Sequence, residues 1–108
     1  MTAGVVLDAV FQGLANESRR EIVERLARGP MTTPEIGRRF GFTRQALNRH
    51  VSLLEEAGLV SRTLHGRVHE LQLVPQRLDT VTRWVAQLRA GWNASLDRLD
   101  EVLRGRKD

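Results

Sequence analysis

Apolar residues recur along this chain at helical spacing, then at strand spacing, then at helical spacing again, and these changes of period mark out its elements. From Val5 to Leu14 the apolar positions are Val6, Leu7, Val10, Phe11 and Leu14, with Asp8 and Gln12 opposite, which predicts a first helix. Asn16 has the side chain of an N-cap, and Glu17 suits the positive end of a second helix whose buried stripe is Ile22, Val23, Leu26 and Ala27. Gly29 and Pro30 end it. Thr33 as N-cap and Pro34 in the first turn open a short third helix, with Ile36 and Phe40 inward and Gly41 closing it. Thr43 caps a fourth helix, packed through Ala46, Leu47, Val51 and Leu54 with His50 at the margin. It ends at Ala57-Gly58-Leu59, Gly58 taking the left-handed position and Leu59 packing back. From Val60 the period is that of strands, Val60 to Leu64 and Val68 to Val74, joined through His65-Gly66-Arg67. Pro75 then opens a long helix to about Leu103. Along it Leu78, Val81, Val85, Leu88, Trp92, Leu96, Leu99 and Leu103 repeat at spacings of three and four, with Trp84 beside them.

A short helix, a tight glycine turn, a second helix with a polar leading face and a basic-tipped hairpin make a helix-turn-helix (about 33–58) with a wing (about 60–74). A C-terminal helix (about 76–104) follows. The expected fold is mainly α with a small β-hairpin, a single winged helix-turn-helix domain over residues 1–108. The last helix is about 40 Å long at 1.5 Å per residue, more than so small a domain can cover. Its apolar seam calls for another helix, most cheaply that of a second copy. The N- and C-terminal helices are therefore expected to form a dimer interface through Val6, Val10, Leu78, Val81, Trp84, Val85, Leu88, Trp92, Leu96 and Leu99. The closing Arg104 to Asp108 reads as a frayed, solvated tail.

Composition narrows the classes. Apolar residues at 41% and charged residues at 28% fit a folded chain rather than a disordered one. The absence of cysteine excludes disulfides, thiolate metal sites and thiol redox chemistry. There is no run of about 18 apolar residues, and Met1 to Leu14 has no basic stretch ahead of its apolar part. The expectation is no membrane span, no signal peptide and a cytoplasmic location. The net charge of +4 is unevenly placed: residues 38–67 hold six Arg against two acids, while residues 1–37 hold four against five. The excess falls on the helix-turn-helix and wing, where a polyanion would be met.

The polar face of the Thr43 helix has the chemistry to read a major groove. Arg offers paired donors to guanine, and Asn and Gln pair with adenine. Thr43, Arg44 and Gln45 sit in or at the first turn, and Asn48 and Arg49 follow one turn later; these are the candidate base contacts. Thr32, Thr33, Arg38, Arg39 and Ser52 suit phosphates, which position without specifying, and Arg62, His65 and Arg67 on the wing suit a minor groove or its flanking backbone. No Gly-rich phosphate loop, H-E-x-x-H motif, nucleophile elbow or paired acid in an apolar setting is present, so no enzyme is expected.

The stretches L-A-N-E-S-R-R-E-I-V-E-R-L, T-R-Q-A-L-N-R-H-V-S-L-L-E-E-A-G-L-V and G-R-V-H-E-L-Q-L resemble the ArsR family of bacterial winged-helix repressors, from about Phe11 to Leu103. The most specific part is Ala46-x-x-x-His50-Val51-x-x-Leu54 with Glu56-Ala57-Gly58-Leu59-Val60. The resemblance implies a homodimer paired through its first and last helices, bound to a pseudo-palindromic operator near a promoter, repressing transcription and released by an effector. Metal-sensing members place cysteines on the first helix of the helix-turn-helix, or Asp and His ligands on the last helix. Here Thr32 to Gly37 carries no thiolate, and the last helix has Asp79, Asp97, Asp100 and Glu101 but no histidine. No metal and no cofactor is therefore expected. Double-stranded DNA and a second copy are the expected partners. Two other readings stand beside this one: a winged-helix module that binds an acidic protein, and a repressor gated by a small molecule near Trp84 or Trp92.

Overall fold

The computed structural model describes residues 2–105. Met1 and residues 106–108, which include most of the expected tail, lie outside the described residues. Eight elements follow in order: α1 (Ala3–Leu14), α2 (Glu17–Leu26), β1 (Met31–Thr32), α3 (Thr33–Phe40), α4 (Arg44–Glu56), β2 (Val60–His65), β3 (Val68–Leu73) and α5 (Gln76–Gly105). The expected winged helix-turn-helix is the fold observed. Arg104 and Gly105 are helical rather than frayed, and Arg104 pairs with Asp100 at 3.0 Å one turn back.

Local chemistry sets the boundaries. The Asn16 side chain accepts from the Arg19 amide and that of Thr43 from the Ala46 amide, so α2 and α4 start where their caps stand. α3 is capped by Thr32, not Thr33. Thr32 Oγ1 accepts from the Glu35 amide and donates to Glu35 Oε1 at 2.8 Å, closing the first turn from both sides. α4 ends in a double hydrogen bond, Leu59 N to Leu54 O and Gly58 N to Glu55 O, with Gly58 at φ 72°. That positive φ is what requires glycine there. The second helix stops at Leu26; Ala27 is its C-cap and exposed, so it does not belong to the buried stripe as expected.

The sheet has one strand more than the hairpin alone. Met31 and Thr32 pair antiparallel with Leu71 and Glu70, giving the order β1-β3-β2. β2 runs to His65 and pairs with Val68, so the turn is Gly66-Arg67 rather than three residues, and β3 stops at Leu73. Gly66 at φ 64° serves that tight two-residue connection.

The core gathers one face from each element: Val10, Ile22, Val23, Leu26, Met31, Ile36, Leu47, Val51, Leu54, Ala57, Leu59, Val60 and Leu71. Val10 is 0% exposed and belongs here, which corrects its expected place in a dimer interface. Val6, Leu78 and Val81 pack half-buried against the same core. The Cβ of a residue at position 13 would stand 3.0 Å from Ala57 Cβ, so at Gly13 the end of α1 passes tightly against the C-cap of α4. From Trp84 onward, every described residue of α5 is exposed, and the helix carries the molecule to 75 Å in its longest dimension.

Candidate nucleic-acid interface

The core side of α4 determines what its other side presents. With Leu47, Val51 and Leu54 buried, the 3.6-residue period turns Arg44, Gln45, Asn48, Arg49 and Ser52 to the surface, and all five are exposed. Thr43 is exposed at the N-cap; its hydroxyl oxygen accepts from the Ala46 amide, which leaves the hydroxyl proton free to donate outward.

The hairpin stands beside this helix because β2 leaves directly from its C-cap. Leu71, 0% exposed, anchors the inner face of the hairpin, and strand alternation places Arg62, its cross-strand partner, and His69, two residues earlier, on that same face. Arg62 reaches Glu55 on α4, with Nη2 to Oε1 at 2.6 Å. The result is a groove of about 540 Å³ between α3, α4 and the wing, lined by Thr33, Pro34, Arg44, Asn48, Arg62, Arg67, Val68 and His69. Three guanidinium groups line it and no carboxylate does.

The groove therefore brings together Thr33, Arg44, Asn48, Arg62 and Arg67 from the expected contacts. Gln45, Arg49 and Ser52 lie on the same exposed side of α4. Other expected contacts stand elsewhere. Thr32 donates its hydroxyl proton to Glu35 Oε1 and is not among the residues that line the groove. Arg39 lines a separate hollow with Glu21, Glu24, Arg25, Arg28 and Phe40, away from the groove. Arg38 is exposed in the last turn of α3. His65 lies on the outer face of the hairpin, 3.5 Å from Glu70 Oε1. The wing histidine that lines the groove is His69, which is not among the expected contacts; its Nδ1 is buried without a hydrogen-bond partner. The signal was its register, two residues before the core residue Leu71.

His50 is a packing residue. Its ring is 5.0 Å from that of Phe42, which stacks on Phe40 at 5.7 Å, and its Nδ1 is buried without a partner. Burial, with the positive charges of Arg19 and Arg49 nearby, holds its pKa below the usual histidine value. Arg19 itself donates to the carbonyls of Gly13 at 2.8 Å and Gln12 at 3.0 Å, and Arg20 to that of Leu14 at 2.8 Å. The start of α2 thus caps the end of α1 and fixes it over α4. Among the described residues no group of three His, Cys, Asp or Glu gathers as metal ligands, and no helix is long and apolar enough to cross a membrane.

Residues 14–63 match the sequence profile of a helix-turn-helix domain family. The HTH-type transcriptional regulator Rv2034 of Mycobacterium tuberculosis is 39% identical over 71 residues, 66% of each chain. The HTH-type transcriptional regulator YuzN of Bacillus subtilis is 37% identical over 71 residues, 59% of this chain and 77% of that one. An ArsR-like transcriptional regulator from Rhodococcus sp. RHA1 superposes with a TM-score of 0.81 at 26% identity, covering 91% of this chain and 92% of that one. These relatives are transcriptional regulators and not enzymes, and the fold agrees with theirs. The chain belongs to the ArsR family of helix-turn-helix transcriptional regulators.

Proposed function

We propose that this regulator acts in the cytoplasm as a homodimeric repressor, binding a pseudo-palindromic operator through α4 and the wing. The observation that carries the reading is the groove between them, where Arg44 and Asn48 of the recognition helix face Arg62 and Arg67 of the hairpin with no carboxylate in the lining. Bidentate Arg–guanine and Asn–adenine pairs account for base reading by α4, and Arg67 at the hairpin tip takes the neighbouring backbone or minor groove. Arg44, Gln45, Asn48 and Arg49, with Thr43 at the cap, are assigned to bases; Thr33, Arg38, Ser52, Arg62 and Arg67 to the backbone. A second copy is called for by the exposed apolar row on α5, in which Leu88, Trp92, Leu96 and Leu99 are between 45% and 66% exposed.

Fluorescence anisotropy with the DNA upstream of the chain's own coding sequence, at two salt concentrations and with competitor DNA, tests this. Competitor-resistant binding of two protomers per site, weakening steeply with salt, is the expected result. Binding abolished by competitor, or insensitive to salt, would sink the reading and favour a protein-binding module.

A gated form of the same repressor is favoured by one feature. A largely apolar groove of about 430 Å³ lies between α1 and α5, lined by Gly4, Leu7, Thr80, Arg83, Trp84 and Gln87. An apolar effector bound there would change Trp84 fluorescence and release the operator in one titration.

A further inference from the structure

We infer that the groove between α1 and α5 binds a small aromatic carboxylate, its ring on Trp84 and its charge on Arg83. This rests on the gated reading above and gives that effector its chemistry. The groove measures about 430 Å³, within the range of small-molecule sites. Leu7 of α1 and the ring of Trp84 supply its apolar walls, and Thr80 and Gln87 its neutral polar groups. Arg83 is the one charged residue in the lining.

Trp84 forms a fixed platform. Phe11 meets it edge-on, with ring centroids 5.5 Å apart and planes at 74°, while 40% of Trp84 stays exposed. An edge contact sets the indole plane and leaves ring surface uncovered for a flat ligand. Arg83 stands directly before it in the chain. The ion pairs among the described residues join Arg62 to Glu55, His65 to Glu70 and Arg104 to Asp100, and none takes Arg83. Asp79, one turn earlier, shares a neighbouring hollow with Arg83 and lies outside the lining of this groove. A guanidinium beside an apolar wall suits a planar anion that accepts two parallel N–H donors, which a carboxylate does. A phosphate dianion would find only one cation here.

Gly4 points the same way. It sits in the first turn of α1 with no positive φ, and a Cβ added there would meet nothing within 4 Å beyond its own helical turn. Neither a turn nor a close crossing calls for glycine at this position, although glycine weakens a helix relative to alanine. Its bare backbone leaves the groove wall open beside Leu7. The groove also stays clear of a second copy seated on the apolar row. At about 100° per residue, Thr80, Arg83, Trp84 and Gln87 centre about 125° round α5 from Leu88, Trp92, Leu96 and Leu99. Because α1 also packs on the recognition helix, a ligand against α1 touches an element that positions α4.

Isothermal titration calorimetry of the whole chain tests the ligand class, with para-butylbenzoate, its neutral amide and the saturated para-butylcyclohexanecarboxylate as probes. The benzoate should bind once per chain, and each of the other two about tenfold more weakly. Arg83→Gln should remove the preference for the benzoate over the amide. Gly4→Leu fills the groove without meeting a neighbour, so it should abolish binding and leave the thermal midpoint no lower. Equal binding of benzoate and amide, or a preference that survives Arg83→Gln, would overturn the carboxylate assignment. Equal binding of the saturated acid would overturn the aromatic one. No binding of any probe, or binding that survives Gly4→Leu, as when a second copy already fills the groove, would overturn the site. Operator release is read separately, by anisotropy during the same benzoate titration. Release in step with the calorimetric Kd supports the whole inference, whereas binding without release overturns the gated reading and leaves the carboxylate site standing.

Discussion

Arg62 of the wing donates to Glu55 of the recognition helix across 2.6 Å, with both side chains only a quarter to a third exposed. α4 and β2 are joined by the short Ala57-Gly58-Leu59 corner, so this pair is the second tie that fixes the hairpin's angle to the helix. It also holds Arg62 at the groove wall, whereas a freely solvated arginine would sample many directions. Glu55→Ala removes the carboxylate and leaves the half-buried guanidinium short of its acceptor. The expected cost is about 1 kcal/mol of unfolding free energy, read as a lower urea midpoint at unchanged slope. Operator affinity should fall as well, because the wing loses its fixed angle.

Arg44 and Gln45 occupy the first turn of α4 and are exposed with no intramolecular partner at their side chains among the described hydrogen bonds. Truncating either to alanine should leave the thermal midpoint within the range of ordinary surface changes. Preference for the operator over competitor DNA should fall by about 1–3 kcal/mol per lost base contact. Anisotropy titrations against both DNAs separate this from a loss of phosphate contacts, which would weaken the two equally. Undiminished discrimination by both variants would move base reading off this face.

Gly13 lies tightly against the corner that follows α4, with Ala57 Cβ at 3.0 Å and Leu59 Cδ1 at 3.2 Å from an added Cβ. Gly13→Val must displace one of these, and Ala57 is fixed by the helix end beside it. Overpacking of about 1–3 kcal/mol is the expected cost, offsetting any gain from replacing a glycine in the last turn of α1. Differential scanning calorimetry of this variant against wild type measures it. An unchanged midpoint would mean that the crossing is looser than the distances describe.

What could be read from the chain, and what could not, follows the range of the interactions. The cap residues Asn16 and Thr43 and the left-handed glycines Gly41 and Gly58 act within one turn, so local sequence located them. Two adjacent threonines were enough to misplace the cap of α3 by one residue, because either hydroxyl suits the role and only the Glu35 contact decides. β1 was missed for another reason: Met31 and Thr32 become a strand only by pairing with Leu71 and Glu70, some forty residues on. The face of the wing was equally remote. Leu71 sets which alternate residues turn inward, and that placed His69, not His65, at the groove. Val10 shows the limit of periodicity on α1, where apolar residues cover more than one face: the core took Val10 and left Val5 and Phe11 exposed.

His50 gives the chain a stability that depends on pH. Its folded pKa lies below the unfolded value of about 6.5, first because of burial and then because of the Arg19 and Arg49 charges. The unfolded chain therefore binds more protons than the folded one between the folded pKa and about 6.5. The contribution is fully present above that window and is lost as pH falls from about 6.5 through the folded pKa. Thermal midpoints of wild type should thus drop on going from pH 7.5 to pH 5. His50→Phe, which keeps a ring against Phe42 and cannot take up a proton, should drop less. The difference between the two curves, rather than either alone, isolates this histidine from the carboxylates that titrate at lower pH. Parallel curves would show that the Phe42 pocket admits the charged ring without penalty.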